Sequence, residues 1–314
     1  MTVADHPGQS RLTAAVALVT SRAARGLDED LPLLLRVFAA AGASAEIVDW
    51  DDHEVDWARF DLALLRSAWD YTERLPQFLG WVERTAARTL LINPVPVVRW
   101  NSDKHYLLEL ERAQLPVVPT RIAEAGSSAR PVLEEFLAQH AGAELVVKPA
   151  VGAGSRDARR HSRSDIDGIL THMQPLLAAG RSVMLQPYLA SVDRNGETGL
   201  MFIDGRFSHA IRKGPLLPAG APATAALFAA EDIRPRVPGA DELAVAERVM
   251  AQLHFETLLY GRVDLIRDEA GRPCILELEL TEPSLYLPHE PGSAERFAEA
   301  ALARLASSRT RRRK

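Results

Sequence analysis

The chain has 314 residues, of which 47% are hydrophobic and 25% charged, with a net charge of -5. That length exceeds one small core and calls for two or three packed subdomains. The acidic balance gives nucleic acid no overall attraction. A single cysteine, Cys274, excludes an intrachain disulfide framework, and no apolar run reaches membrane-spanning length. A cytoplasmic location is therefore expected, with neither membrane nor nucleic acid as partner.

In chain order, Arg11 followed by Leu12–Val19 imitates a signal peptide. The apolar stretch is short, Asp5 breaks the basic start, and the following residues continue a fold. Residues 14–20 read as a buried strand. Asp28-Glu29-Asp30-Leu31-Pro32 opens a helix with apolar positions 31, 34, 35, 38 and 39, and Gly42 ends it. Strands at 45–48, 62–65 and 90–92 alternate with a helix at 78–87, which argues for a parallel sheet. Residues 1–100 thus read as an α/β domain of nucleotide-fold type.

From Asn93-Pro94 the pattern changes. A helix is expected from Ser102, carrying Lys104, Leu107, Leu108 and Glu111. A short strand near Val117-Val118, a helix over 131–140, a strand ending in Lys148, a helix from Ser164 and a strand at 183–186 follow. Then come two hairpins. The first turns on Asp204-Gly205, a strong two-residue turn signal. The second joins Arg262–Ile266 to Cys274–Leu280 through a turn containing Gly271. Gly214–Gly239, rich in Pro, Ala and Gly, reads as a mobile lid or a disordered linker. Arg311-Arg312-Arg313-Lys314 reads as a frayed basic tail.

Two stretches carry candidate chemistry. In Lys148-Pro149-Ala150-Val151-Gly152-Ala153-Gly154-Ser155-Arg156 a lysine at a strand end enters a loop whose glycines let backbone N–H groups approach a phosphate. Neither a Walker A loop nor a dinucleotide fingerprint fits it. In the second hairpin, side-chain alternation puts Leu276, Leu278 and Leu280 on one face, with Glu277 and Glu279 on the other. Pairing around the turn sets Asp264 opposite Glu277 to within about a residue. Three converging carboxylates repel unless a cation offsets them, and oxygen ligands suit magnesium. The nine histidines are scattered, so zinc is not indicated.

Lys104, Lys148 before its glycine loop, Leu185–Leu189, and Asp264 with Glu277-Leu278-Glu279 resemble the ATP-grasp enzymes, within them the glutathione-synthetase-like branch. The likeness spans residues 14–305. The metal strand of that branch commonly reads Glu-x-Asn; here Glu279 stands at the Asn position. The resemblance implies an ATP-grasp fold of mixed α/β and α+β class. Its parts would be a Rossmann-like parallel domain at 1–100, a central subdomain at 101–187, a C-terminal subdomain at 188–308 and the tail at 309–314, the two subdomains sandwiching the nucleotide.

It further implies that Lys104 and Lys148 contact the phosphates of ATP and that Gly152, Gly154 and Ser155 close over them. Gln186, Pro187, Tyr188 and Leu189 would form the adenine hinge. Arg262 would bind the transferred phosphate with Lys213 nearby. Asp264, Glu277 and Glu279 would hold two magnesium ions, and Asp193 or Glu197 would touch ribose or substrate. The reaction implied is phosphorylation of a carboxylate by ATP and displacement of phosphate by an amine.

Arg66-Ser67-Ala68-Trp69-Asp70-Tyr71 ends a parallel strand, where ligands bind in such sheets. Arg66 can grip a carboxylate and Asp70 an ammonium, which suits an amino-acid-like substrate. Ser67, Trp69, Tyr71, Glu282 and Ser284 are further candidates for substrate contact. Together with Asn101-x-Asp103-Lys104, Phe207–Lys213 and Glu277–Ser284, this stretch is similar to one ATP-grasp subgroup. That subgroup includes a cyclo-ligase forming D-cycloserine from O-ureido-D-serine. A dipeptide ligase, a ligase acting on a peptide or protein C-terminus, and a nucleotide-binding regulator are the alternatives. The oligomeric state is left open.

Overall fold

The computed structural model describes residues 13–217, 220, 231–255 and 258–312. Its first layer holds β1 (Ala15–Thr20), α1 (Asp30–Ala40), β2 (Ser44–Asp49), β3 (Leu62–Ser67), α2 (Leu75–Ala86) and β4 (Leu90–Ile92), the strands forming a parallel sheet of order β2-β1-β3-β4. Val16 to Val19 and Leu62 to Leu65 are fully buried, as both faces of such a sheet are covered. Gly42, at φ +76°, ends the α1 turn as read from sequence.

Next come α3 (Val95–Asn101), α4 (Tyr106–Arg112), β5 (Arg121–Ala123), α5 (Ala129–Gln139), β6 (Glu144–Pro149), β7 (Arg159–Ser162), α6 (Ile166–Ala178) and β8 (Val183–Pro187). Here the strands make an antiparallel sheet of order β5-β8-β6-β7, backed by α5 and α6. Lys104 is not on a helix: the backbone N–H of Lys104 is given to the carbonyl of Ala150 at 3.0 Å, and residues 102–105 turn between α3 and α4. The segment near Val117 makes only a parallel bridge to Ile275.

The last part comprises α7 (Val192–Asn195), β9 (Glu197–Ile203), β10 (Arg206–Lys213), β11 (Ile233–Arg236), α8 (Ala240–Gln252), β12 (Tyr260–Arg267), β13 (Pro273–Glu279) and α9 (Ser293–Arg312). The strands form an antiparallel sheet of order β11-β10-β9-β12-β13. Asp204 and Gly205 both have positive φ, 51° and 74°, the geometry that the expected tight turn requires. Part of the Gly214–Gly239 stretch is thus neither lid nor linker, because β11 pairs with β10. Residues 218, 219 and 221–230 of it lie outside the described residues. The basic end is not frayed as far as Arg312: α9 continues through it, and Arg309 is ion-paired with Asp61. Helix α9 packs against α1, so its apolar face shares a core with the first layer and with Met201, Ile203 and Tyr260.

Asp264 faces Glu277, as the register predicts, and Arg262 faces Glu279. Leu265 then faces Ile275, so Leu276 is an extra residue in a β-bulge. The bulge breaks the expected alternation. Leu278 and Leu280 enter the core with Ile275, whereas Leu276 turns to Val118, Val192 and Ile266.

Candidate active site

One large cavity, of about 460 Å³, lies where the three sheets meet. Its apolar end is walled by Val118, Tyr188, Leu189, Ile266 and Leu276. Leu276 reaches this wall only because of the bulge, and neither Val118 nor Ile266 was marked by the sequence. Gln186 is buried, and its amide donates to Thr120 Oγ1 at 3.0 Å. Pro187 and Tyr188 continue from the strand, the Tyr188 N–H donating to the Glu144 carbonyl at 3.1 Å. Asp193 does not line the cavity. It accepts from the Tyr188 hydroxyl at 2.6 Å and lies 3.6 Å from Arg160, whose guanidinium sits 3.6 Å from the Tyr188 ring centre.

The polar end gathers basic and acidic groups. Lys104 Nζ is 2.9 Å from Glu277 Oε1 and donates to the Gly152 carbonyl at 2.5 Å. Lys213 Nζ is 2.7 Å from Asp264 Oδ2 and 3.2 Å from Glu197. Arg262 grips Asp264 through two hydrogen bonds of 2.8 and 2.9 Å, donates to the Ser284 carbonyl at 2.8 Å, and also reaches Glu279. Lys148 lines the same space, with Gly152, Gly154 and Ser155 beside it, and makes no ion pair with another described residue. Gly154 and Ser155 both have positive φ, 61° and 60°, a conformation that turns successive backbone N–H groups the same way.

Burial pushes the Lys148 ammonium below its usual range. Burial opposes ionisation of Asp264 too, but Arg262 and Lys213 hold its carboxyl well below the usual range. Glu277 is likewise held down, against burial, by Lys104 and Lys148. Glu279 behaves differently: burial and the charges of Asp264 and Glu277 raise it to about 7, despite Arg262. Positive charge is in short supply on this face.

The expected convergence of acids into one cluster is not what the side chains do. Among the described residues no group of three His, Cys, Asp or Glu is gathered to hold a metal ion. Each acid of the hairpin turns instead to a basic partner. The donor chemistry still fits magnesium. Glu197, Glu277, Glu279 and Glu282 line the cavity with the basic groups Lys104, Lys148, Lys213, Arg156 and Arg262, and Asp28, Glu29, Asp30 and Glu231 add further acids to its wall. Asp264 does not line it but is bonded to Lys213 and Arg262. A triphosphate added to a wall already rich in acids requires further hard cations, which take oxygen ligands.

The first layer supplies the other wall, but not through the residues expected. Arg66 is fully buried: it pairs with Asp30 at 3.2 Å and donates to the Pro283 carbonyl at 2.7 Å. It cannot grip a substrate. Ser67 is fully buried too, bonded to Thr20 Oγ1 at 2.8 Å. Asp70 faces Arg74 and accepts from the Trp50 indole at 2.8 Å, away from the cavity. Trp69 and Tyr71 do line it. The Trp69 indole donates to the Glu282 carbonyl at 3.0 Å, and the Tyr71 hydroxyl is hydrogen-bonded to the Glu282 carboxyl. Asp30 accepts from the N–H groups of Leu285 and Leu287 at 2.8 and 2.7 Å. Asn101 Oδ1 accepts from those of Leu280 and Thr281 at 2.6 and 3.1 Å. The first layer therefore fixes the segment that follows β13, and so places Glu282 and Ser284. Tyr286, at φ +48°, also lines the cavity and donates its hydroxyl to Glu231 at 2.6 Å; no sequence motif marked it.

Residues 16–93 match the family model for the N-terminal domain of D-cycloserine synthetase DcsG. The cycloserine biosynthesis protein DcsG of Streptomyces lavendulae is 43% identical over 297 residues, 92% of this chain and 98% of the relative. The crystal structure of D-cycloserine synthetase DcsG superposes with a TM-score of 0.88 at 41% identity, covering 93% of this chain and 100% of that one. A RimK domain ATP-grasp protein from Sphaerobacter thermophilus shares the fold, with a TM-score of 0.65 at 20% identity, over 92% of this chain and 100% of that one. The chain therefore belongs to the DcsG family and is an ATP-dependent ligase of the ATP-grasp fold.

Proposed function

We propose that this ligase forms an amide bond within a small amino-acid derivative through an acyl phosphate, closing O-ureido-D-serine to D-cycloserine with release of ADP and phosphate and with loss of the ureido carbamoyl group to water as carbon dioxide and ammonia. The observation that carries the reading is the match to the cycloserine protein of Streptomyces lavendulae along nearly the whole of both chains. The cavity supports it. Its apolar wall of Val118, Ile266 and Leu276 suits adenine, with Gln186 to Leu189 along the edge. Lys104, Lys148 and the Gly152–Ser155 backbone suit the phosphates.

In this reading Arg262 and Lys213 hold charge on the group in transfer, and Glu197 orients Lys213. Asp264, Glu277 and Glu279 would hold magnesium, two ions with ATP present. When bound, magnesium would supply charge neutralisation for the phosphates. Trp69, Tyr71, Glu282 and Ser284 border the substrate end. The protein's part is to hold carboxylate, phosphate and nitrogen in reacting geometry while excluding water. No enzyme nucleophile is required.

The test is incubation with ATP, magnesium and O-ureido-D-serine, alongside a panel of free amino acids and D-serine derivatives, while ADP, phosphate and D-cycloserine are followed. ADP release that depends on O-ureido-D-serine, with D-cycloserine formed, is the expected result. Release of AMP and pyrophosphate means adenylation and ends this reading; ADP release only with a pair of amino acids replaces ring closure by dipeptide ligation.

A further inference from the structure

Glu282 differs from the other acids at the polar end. Glu197, Asp264, Glu277 and Glu279 each have a lysine or arginine within ion-pair distance. Glu282 has none among the described residues; its carboxyl meets the neutral hydroxyl of Tyr71. Its backbone is pinned by the Trp69 indole, and the next carbonyl, that of Pro283, by Arg66. The side chain borders the cavity three residues beyond Glu279, at the end of the strand proposed to carry the metal ligands. The charged groups around it are Glu277 and Glu279 on β13 and Lys104 from the turn before α4. This is a carboxyl on the cavity wall, bonded to Tyr71, with no basic side chain of the described residues tied to it.

Formation of an amide from an acyl phosphate leaves a proton to be disposed of. The nitrogen lone pair forms the C–N bond, the C–O bond to phosphate breaks with its electron pair leaving on inorganic phosphate, and an N–H proton must go to a base; the carbamoyl group that this nitrogen carries in O-ureido-D-serine is lost to water as carbon dioxide and ammonia in a separate hydrolysis. We propose that Glu282, oriented by Tyr71, accepts that proton from the attacking nitrogen. The proposal rests on the acyl-phosphate reading above and adds a residue to its second half. Burial and the nearby charge of Glu279 raise the Glu282 carboxyl to about 8, which makes its carboxylate a stronger base than an ordinary glutamate. Glu231, also on the cavity wall and bonded to the Tyr286 hydroxyl, comes from the segment before β11 and not from the end of β13.

Hydroxylamine separates the two halves of the reaction, because it attacks acyl phosphates without a base. In Glu282→Gln, hydroxamate formation from O-ureido-D-serine, ATP, magnesium and hydroxylamine stays within about threefold of wild type, while D-cycloserine formation falls by roughly 100-fold or more. Intact hydroxamate formation also shows that the variant is folded. Equal loss of both products puts Glu282 in binding or phosphoryl transfer and overturns the proposal, as does unchanged D-cycloserine formation. Absence of hydroxamate with the wild-type protein removes the acyl-phosphate reading itself, and the proposal with it.

Discussion

Lys104 and Glu277 form an ion pair of 2.9 Å that joins the turn before α4 to the acidic strand β13. The same ammonium holds the Gly152 carbonyl of the glycine loop. One lysine thus links the loop proposed for phosphates to the strand proposed for cations. Although burial opposes it, Glu277 raises the Lys104 ammonium above its usual range, so the group stays charged across the working pH.

Lys104→Met removes that link and leaves Glu277 with Lys148 as its remaining basic neighbour. The expected outcome is a rise in KM for ATP of at least tenfold, together with a fall in kcat. Steady-state ADP release over a range of ATP concentrations checks it; an unchanged KM places the ATP phosphates elsewhere.

Glu277→Gln keeps the size of the side chain and removes the charge of a proposed oxygen ligand. Turnover is expected to fall by roughly 100-fold or more, since charge stabilisation of the transferring group is commonly the largest catalytic contribution. The circular dichroism spectrum should stay near wild type, while the melting temperature falls because Lys104 loses its ion-pair partner. Full activity in this variant would sink the metal assignment.

Arg66 and Asp30 make the opposite prediction. Both are buried, and between them they tie Pro283, Leu285 and Leu287 to the first layer. Arg66→Ala leaves Asp30 buried without its partner, and such losses cost about 3–5 kcal/mol. Urea unfolding should show that loss directly. Where the variant remains folded, hydroxamate formation should be reduced through a displaced Glu282–Leu287 segment. A stable Arg66→Ala protein with only a raised substrate KM would restore Arg66 as a substrate ligand.

The contrast between Glu277 and Arg66 shows what the sequence made legible. The pairing of Asp264 with Glu277 follows from a period of two and a short turn, both local. The bulge at Leu276 rests on a single added residue that leaves the hydrophobic pattern unchanged. Arg66 looked available because its partners are remote: Asp30 lies 36 positions away and Pro283 217. The turn at Lys104 has the same cause, since the Ala150 carbonyl that takes its N–H belongs to another element. Strand β11 was hidden because Pro235 lies within it, and a proline is tolerated there because β11 is the edge of its sheet. Local periodicity exposed the elements and the acidic strand, while the contacts that decide which polar groups are free came from distant parts of the chain.

The raised carboxyl of Glu279 predicts how stability depends on pH. Its value moves from the ordinary 4.5 up to about 7, although 27% of the side chain still meets solvent. In the folded state this group keeps its proton to higher pH than in the unfolded chain. Between about pH 4.5 and 7 the folded protein therefore binds more protons, and its stability falls as pH rises. Glu282, raised to about 8, extends the window in the same direction. Asp264 and Glu277 are depressed, and their contribution is lost only as pH falls below the ordinary carboxylate range. Under the proposed assignment, magnesium binding to the ionised acids would oppose the loss. The melting temperature without metal should decline from pH 6 to 8.5, and the increase produced by millimolar magnesium should grow over the same interval. Glu279→Gln should flatten both trends. A magnesium effect independent of pH, in wild type and variant alike, would mean that Glu279 is not among the ligands.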